Sequence, residues 1–237
     1  MPQNTLSSIA ELGGEETGVF YFAAVLKFQT PMALPGTHIR FALDISDLLA
    51  VSDFSAYISG TTYPDSRYFT KLERGLTHPN DLIEILLKEN DFRKGWAVHL
   101  ICDKFQREIN RERLPEIYQD SDESYIRNTA FKILQDIDDI KFFDILKYIE
   151  HIKVSEAPNN EPVDLLEKYY AGVRMLYGGA AEMTVERSLG IFNGIPDFSE
   201  TLEKIRVQCA MYRTSDSVQK IISSTYSEML ARARKTL

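Results

Sequence analysis

The sequence has few cysteines, few histidines and no long uninterrupted apolar run. Its two cysteines, Cys102 and Cys209, lie far apart among 237 residues. Nothing indicates a disulfide framework, so a reducing cytoplasm is the simpler location. Positive charge is in deficit, because 27 Lys and Arg stand against 35 Asp and Glu, for a net charge of -8. Such a chain lacks the clustered basic face that binds duplex nucleic acid, but it can act on a small anionic substrate where a metal supplies positive charge.

The most apolar stretch of the sequence, residues 18–34, does not have the character of a membrane segment. A lysine, a glutamine and a proline interrupt it, and acidic rather than basic residues precede it. It is therefore a poor signal peptide and too short for a transmembrane helix. We expect residues 1–31 to form an irregular N-terminal extension, with Met32 as an alternative start of the chain.

The apolar residues follow the spacing of helices. Strict alternation of apolar and polar residues, which marks half-buried strands, hardly occurs. From Pro35 onward, apolar residues recur at three- and four-residue intervals. The sequence therefore predicts an all-α protein folded as a single multi-helical domain. We expect a metal-binding helical core over residues 32–154 and, after a polar linker with prolines, a C-terminal helical part of the same domain over residues 163–237.

Residues that start and stop helices divide this pattern into elements. Thr37 is a candidate N-cap for the first helix, and Pro115 ends another helix that begins near Phe92. Gly60 and Pro64 predict a turn-rich segment. The C-terminal third contains no histidine, which predicts a structural role for it. Further helices are expected over residues 80–88, 122–152, 163–177 and 182–192, with a last pair after residue 194 whose final member begins near Ser215.

His99 and Asp103 are the strongest local signal of chemistry. They stand four positions apart in GWAVHLICDKF, so on a helix they share one face. The residues around them are almost all apolar, which indicates a buried helix. A buried carboxylate costs several kcal/mol unless a cation, a hydrogen bond or a metal compensates it. The pair therefore indicates a metal site. The alternatives are a direct hydrogen bond between the two residues or a buried arginine beside Asp103.

Three further candidate ligands precede that helix. Asp65 follows a proline in a turn, and His78 lies directly before another proline. Both positions suit side chains that point inward, although Asp65 could instead cap a helix and His78 could interact with a helix C-terminus. His38 lies on the apolar stripe of its predicted helix, where a core histidine is the alternative to a ligand.

Three imidazoles and two carboxylates together form a ligand set that zinc prefers and that iron or manganese also accept. A first four-coordinate site could comprise Asp65, His78, His99 and Asp103. A second ion could be held by His38 and a shared Asp103. A metal would also compensate the charge of Asp103 inside its apolar helix.

The order of these motifs resembles a known family. PGTH, G-x3-PDSR, ER-x2-TH and F-x2-GW-x2-H-x3-D follow one another between residues 35 and 103. The series is similar to that of the zinc-dependent phospholipase C and fungal zinc-nuclease superfamily, and closest to a compact bacterial branch of it. The resemblance covers roughly residues 35–110, under a third of the chain. It implies an all-helical fold and a metal cluster that hydrolyses phosphodiesters or phosphomonoesters. By this resemblance the ligands of the first ion would be Asp65, His78, His99 and Asp103. His38 would bind the second ion, and Asp103 would bridge the two.

The chain departs from this family after Asp103. The trinuclear members carry a further H-x3-E helix, another histidine and a processed N-terminal chelator. His151 is the only histidine after Asp103 in this chain, and we interpret it as a surface or packing residue. We therefore expect one or two divalent ions, zinc first, rather than three.

The expected function is a metal-dependent hydrolase that acts on a small phosphoester. Asp65 would be the catalytic residue, serving as a ligand and orienting the attacking water. Arg67 and Arg74 could grip a phosphate through paired hydrogen bonds, unless they pair with Glu73 or a structural carboxylate.

A non-catalytic helical protein is the alternative. A closed four-ligand site would hold a structural metal or a plain polar network. The acidic surface and the long C-terminal helices would then suit protein–protein interaction or a homo-oligomer. A nucleotide phosphohydrolase of the His-Asp type ranks last, because the chain lacks the adjacent His-Asp dipeptide of such enzymes. In each case we expect a cytoplasmic protein.

Overall fold

A computed structural model describes residues 34–119, 122–179, 182–190 and 199–237. The predicted N-terminal extension lies outside the described residues. Within the described ranges the regular structure is helical and no β-strand occurs, so the predicted all-α class is confirmed. None of the helices in these ranges is both long enough and apolar enough to cross a membrane.

The helices of the described residues vary from one turn to six turns. In chain order they are α1 (Pro35–Ile45), α2 (Phe54–Thr62), α3 (Arg67–Thr70), α4 (Arg74–Thr77), α5 (Ile83–Leu86), α6 (Asp91–Arg113), α7 (Asp122–Asp139), α8 (Leu146–Ile149), α9 (Val163–Tyr177), α10 (Val185–Gly190), α11 (Ser199–Thr214) and α12 (Asp216–Thr236). Single 3-10 turns lie between them at Ser46–Leu48, Tyr63–Ser66, Asn80–Leu82, Pro115–Tyr118 and Ile140–Phe142.

The longest helix, α6, occupies the centre of the structure. Asn90 caps it by accepting a hydrogen bond from the amide of Arg93 at 3.0 Å, and Pro115 follows its end, as the sequence predicts. Every residue from Gly95 to Asp103 is buried, and α1, α2 and α12 pack against the helix. A helix enclosed in this way places its polar side chains in the interior.

Two predicted local features are wrong. Gly60 lies inside α2 rather than in a turn, because its missing Cβ is required by packing against α6. Thr37 is not an N-cap, because Pro35 already starts the helix. The amide of Thr37 instead donates to Asp136 Oδ1 at 2.7 Å.

Glycines allow α2 and α6 to approach closely. A Cβ on Gly60 would lie 1.9 Å from the carbonyl oxygen of Phe92, and a Cβ on Gly95 would lie 2.0 Å from that of Tyr57. No side chain fits at either distance, so the backbones touch directly. This contact fixes the distance between α6 and the end of α2, where the chain enters the turn that carries Asp65.

Carboxylates of α7 hold the first turn of α1. Asp136 accepts hydrogen bonds from the Thr37 amide at 2.7 Å and from the Tyr177 hydroxyl at 2.8 Å. Asp139 accepts from the Thr37 hydroxyl and from Arg40, each at 2.8 Å. These bonds set the position of α1 on α7, and with it the position of His38, which directly follows Thr37.

Candidate metal centre

The five predicted ligands converge from separate segments of the fold. His38 lies on α1, Asp65 in the 3-10 turn after α2, His78 directly after α4, and His99 and Asp103 on α6. All five are buried, with relative exposures of 1%, 8%, 5%, 0% and 5% respectively. The structure thus brings together every residue for which the sequence predicted metal ligation.

Asp103 lies between the three imidazoles. Its Oδ1 is 3.6 Å from His38 Nε2. Its Oδ2 is 3.9 Å from His78 Nε2 and also 3.9 Å from His99 Nε2. The two oxygens therefore face different imidazoles, an arrangement that a bridging carboxylate requires, while bridging itself stays a prediction.

Two sets of three side chains place their ligand atoms within 4.8 Å of one another. One set is His38, Asp65 and His99, and the other is His78, His99 and Asp103. The two sets share His99, so the side chains form one continuous cluster. The predicted division into a four-ligand site and a separate His38 site differs from this grouping.

The orientation of His99 leaves one ring nitrogen available for a metal. Its Nδ1 lies 2.9 Å from the carbonyl oxygen of Thr61. A carbonyl only accepts hydrogen bonds, so we assign the proton of the neutral ring to Nδ1, and Nε2 then carries a lone pair. Nε2 has no hydrogen-bond partner among the described residues. Metal-binding histidines commonly have their second nitrogen held in this way.

His78 is held in a similar manner by its own segment. Its Nδ1 is 2.8 Å from the hydroxyl of Thr77. The indole of Trp96 on α6 donates to the carbonyl of Thr77 at 2.7 Å and anchors the segment to the central helix. The Nε2 of His78, like that of His99, lacks a hydrogen-bond partner within the described part of the chain.

The imidazoles of His78 and His99 are neutral near pH 7. Burial lowers the pKa of His99 to about 4 despite the nearby carboxylate of Asp103. Burial and the neighbouring His99 lower the pKa of His78 well below its usual range. The rings of His38 and His99 stack with centroids 3.7 Å apart, which also disfavours charging both. Neutral imidazole is the form that binds metals.

The two carboxyl groups differ in their electrostatic environment. Burial acts to raise the pKa of Asp103, but His99, His38 and Lys132 outweigh it and hold the pKa below the usual range. Burial, and then the charge of Asp103, raise the pKa of Asp65 to about 8. The Oδ1 atom of Asp65 has no hydrogen-bond partner in the described ranges. A divalent cation would compensate both groups, so the residues present fit a metal ion.

The two predicted substrate-binding arginines lie beside this cluster. Both Arg67 and Arg74 interact electrostatically with Asp65. Arg67 is buried, and its guanidinium lies 4.4 Å over the ring of Tyr68. Its Nε has no hydrogen-bond partner among the residues described. A buried guanidinium with an available N–H is suited to an anion.

Lys132 is a member of the cluster that sequence reasoning missed. It lies on α7, is 7% exposed and interacts electrostatically with Asp103 and Asp65. Burial lowers its pKa to about 8. In the sequence it is one lysine of an amphipathic helix, and such lysines usually reach solvent. The available signal was its helical spacing with Asn128 and Asp136, which marks a polar stripe within a buried helix.

His151, the fourth histidine of the sequence, lies apart from the cluster. It is exposed, its Nδ1 is 2.9 Å from the hydroxyl of Ser55, and its ring meets the ring of Phe54 edge-on. These contacts are those of a surface packing residue. His151 therefore serves as a natural control for the other histidines.

The comparisons leave the chemistry to be argued from this geometry. Neither the protein-family models, nor the curated proteins, nor the solved structures include a match for this chain.

Proposed function

We propose that this protein is a metal-dependent hydrolase that acts on a phosphoester. The observation that carries the proposal is a buried cluster of His and Asp side chains in which three ligand atoms have no hydrogen-bond partner among the described residues: Asp65 Oδ1, His78 Nε2 and His99 Nε2. Buried polar atoms without partners are rare in folded proteins, and a bound ion is one of the explanations for a cluster of them. The donor chemistry favours zinc, with iron or manganese as alternatives.

The cluster would hold one or two divalent ions through His38, Asp65, His78, His99 and Asp103. A divalent ion held there would supply Lewis acidity, which would polarise a phosphoryl oxygen and lower the pKa of water. Asp65 is suited to accept a hydrogen bond from that water, because one of its oxygens is otherwise unpartnered within the described residues. Asp65 would thereby orient the water toward phosphorus.

Cationic side chains support an anionic substrate. Arg67, Arg74 and Lys132 all interact with Asp65, and together they outnumber the two carboxylates of the cluster. This local positive charge contrasts with the net charge of -8 for the whole chain. Arg67 and Arg74 would bind and orient the phosphoryl oxygens, and the buried surroundings would strengthen that attraction.

The motif resemblance supports the same reaction class. The order His38, Asp65, His78, His99 and Asp103 resembles the order of ligands in the zinc-dependent phospholipase C and zinc-nuclease superfamily. An all-helical architecture agrees with that fold. We propose that the chain is related to this superfamily and has fewer metal ligands than its trinuclear members.

Metal analysis followed by an activity screen tests the proposal. Protein purified without chelators is expected to contain at least one equivalent of metal. With zinc, manganese or iron it is expected to hydrolyse p-nitrophenyl phosphate or bis-p-nitrophenyl phosphate, and a chelator should abolish turnover. Absence of turnover with all three metals in a metal-replete protein would contradict a phosphoesterase.

Deep burial of the donors favours a second candidate, a structural metal site. None of the five donor residues is more than 8% exposed, and structural zinc sites are closed to outside ligands. Cobalt substitution distinguishes the two. The visible absorption of Co²⁺ should change when inorganic phosphate is added to an open site, and should stay constant in a closed four-ligand site.

A further inference from the structure

Lys132 belongs to the face of α7 that contacts α1. Asp136, one turn after Lys132 on the same face, binds the amide of Thr37 at 2.7 Å. Thr37 directly precedes His38. Lys132 therefore shares a face of α7 with the residue that binds the segment carrying His38.

A side-chain hydrogen bond also joins α7 to α6. Gln106 of α6 donates a hydrogen bond to Gln135 of α7 at 3.0 Å. Asp103 lies three residues before Gln106, and Lys132 lies three residues before Gln135. Asp103 and Lys132 are thus each about one turn from a direct contact between the two helices, which agrees with their electrostatic interaction.

The side chain of Lys132 is buried and interacts with both carboxyl and guanidinium groups. It is 7% exposed and interacts with the carboxylates of Asp103 and Asp65 as well as with the guanidinium groups of Arg74 and Arg107. Burying an ammonium is costly unless anions compensate it. Asp103 and Asp65 are the carboxyl groups that favour its charged form, and each belongs to a different set of close donors in the cluster.

The ligand geometry independently limits the number of ions. The two sets of close donors share His99. The Nδ1 of His99 is engaged by the carbonyl of Thr61, so only Nε2 can ligate, and it has a single lone pair. The two sets of close donors therefore cannot both be complete around separate ions.

We infer that Lys132 is a fixed cation that takes the place of a second metal ion, so that the centre holds one divalent ion, and that its ammonium group helps to bind the phosphoryl group. This inference rests on the proposed metal-dependent phosphoesterase. The ammonium compensates one carboxylate while the single ion compensates the other. Its three N–H donors can also serve an anion that reaches the ion.

Zinc stoichiometry tests the first half of the inference. Equilibrium dialysis of the full chain followed by elemental analysis should give one zinc per wild-type chain. Lys132→Glu removes the fixed cation and adds a carboxylate, so it should raise the value to two. Lys141→Glu, at an exposed lysine shortly after α7, is the matched control and should leave the value at one.

Each result has a definite meaning. Two zinc ions in the wild-type chain would overturn the inference and leave the proposed metal centre intact. No zinc at saturation would overturn the proposed function itself. A folded Lys132→Glu variant that still binds one zinc would contradict the idea that Lys132 limits the metal count.

A milder variant tests the second half and remains informative if Lys132→Glu fails to fold. Inorganic phosphate is titrated calorimetrically into the zinc-loaded wild-type chain, Lys132→Met and Lys132→Arg. Lys132→Met should weaken phosphate binding at least tenfold, and Lys132→Arg should retain most of the affinity because it keeps the charge. Lys141→Met should bind phosphate like the wild type. Equal affinities for the wild type and Lys132→Met would overturn the role in anion binding.

Discussion

His99 is the residue on which the cluster depends most. It is fully buried, it belongs to both sets of close donors, and its Nδ1 is held by the carbonyl of Thr61. Its Nε2 is therefore presented in one fixed direction, as a metal ligand requires.

We predict that His99→Ala loses the bound metal. Removal of the shared donor leaves neither close set complete, so zinc content measured by elemental analysis should fall to a small fraction of the wild-type value. His151→Ala is the control, because this exposed histidine lies outside both sets. Equal zinc contents in His99→Ala and wild type would remove the metal hypothesis for this cluster.

The sequence predicted the five donors because each stands in a short motif with its own spacing. His99 and Asp103 share a helix face by their four-residue separation, which needs no knowledge of the tertiary fold. Lys132 was not predictable in this way. Its role depends on the position of α7 relative to α6, which involves contacts between residues distant in sequence, such as the hydrogen bond of Gln106 with Gln135.

At the scale of elements, the packing of α2 on α6 positions the cluster. We predict that Gly95→Ala destabilises the fold by about 2–3 kcal/mol, because the new methyl group would overlap the carbonyl oxygen of Tyr57. Separation of the helices would also weaken the hydrogen bond between His99 and Thr61, so zinc affinity should fall. Chemical denaturation and zinc titration measure the two effects.

Gly75→Ala is the control for this substitution. A Cβ on Gly75 would meet nothing within 4 Å, and alanine favours helix over glycine. Its stability should equal or exceed that of the wild type. If Gly95→Ala behaves like Gly75→Ala in both measurements, the close approach of α2 and α6 does not position the site.

The junction of α1 and α7 predicts a dependence of stability on pH. Burial raises the pKa of Asp136 from 3.8 to about 6 in the folded state. A raised folded pKa means that the stabilisation is fully present below the unfolded pKa of about 4 and is lost as pH rises through about 6. The loss amounts to about 3 kcal/mol for one fully buried group with such a shift.

Asp136→Asn isolates this contribution. The amide does not ionise, so the difference in unfolding free energy between the wild type and the variant should decrease from pH 4.5 to pH 7.5. Urea denaturation of chelator-treated protein across this range measures it. A difference that stays constant or increases with pH would show that Asp136 is ionised throughout, with the α1 amide and Tyr177 stabilising its charge.

Helices with clear local signals were more predictable than helices that depend on tertiary packing. Helix α9, Val163–Tyr177, was predicted at the observed bounds because its apolar stripe and flanking proline are local signals. Helix α2 was missed because Gly60, judged from the sequence alone, predicts a break in a helix. Only the close packing of α2 on α6 explains why a glycine is required inside that helix.

At the scale of the whole molecule, the cluster joins segments that are otherwise separate. Its donors come from α1, from the turns near Asp65 and His78, and from α6. A bound ion would cross-link these segments in the folded state only. Metal binding should therefore stabilise the entire fold by an amount set by its affinity and concentration.

We predict that chelation lowers the melting temperature of the wild-type chain, and that Asp103→Ala reproduces most of this loss. Asp103 faces all three imidazoles of the cluster, so its removal should abolish metal binding and the associated stabilisation together. For an ion at a thousand times its dissociation constant that stabilisation is about 4 kcal/mol. Differential scanning calorimetry with and without chelator measures both chains, and the melting temperature of Asp103→Ala should not respond to the chelator. A variant that keeps its metal and melts like the wild type would contradict the coupling, since the carboxylate at the centre of the cluster would then contribute neither to metal binding nor to the fold.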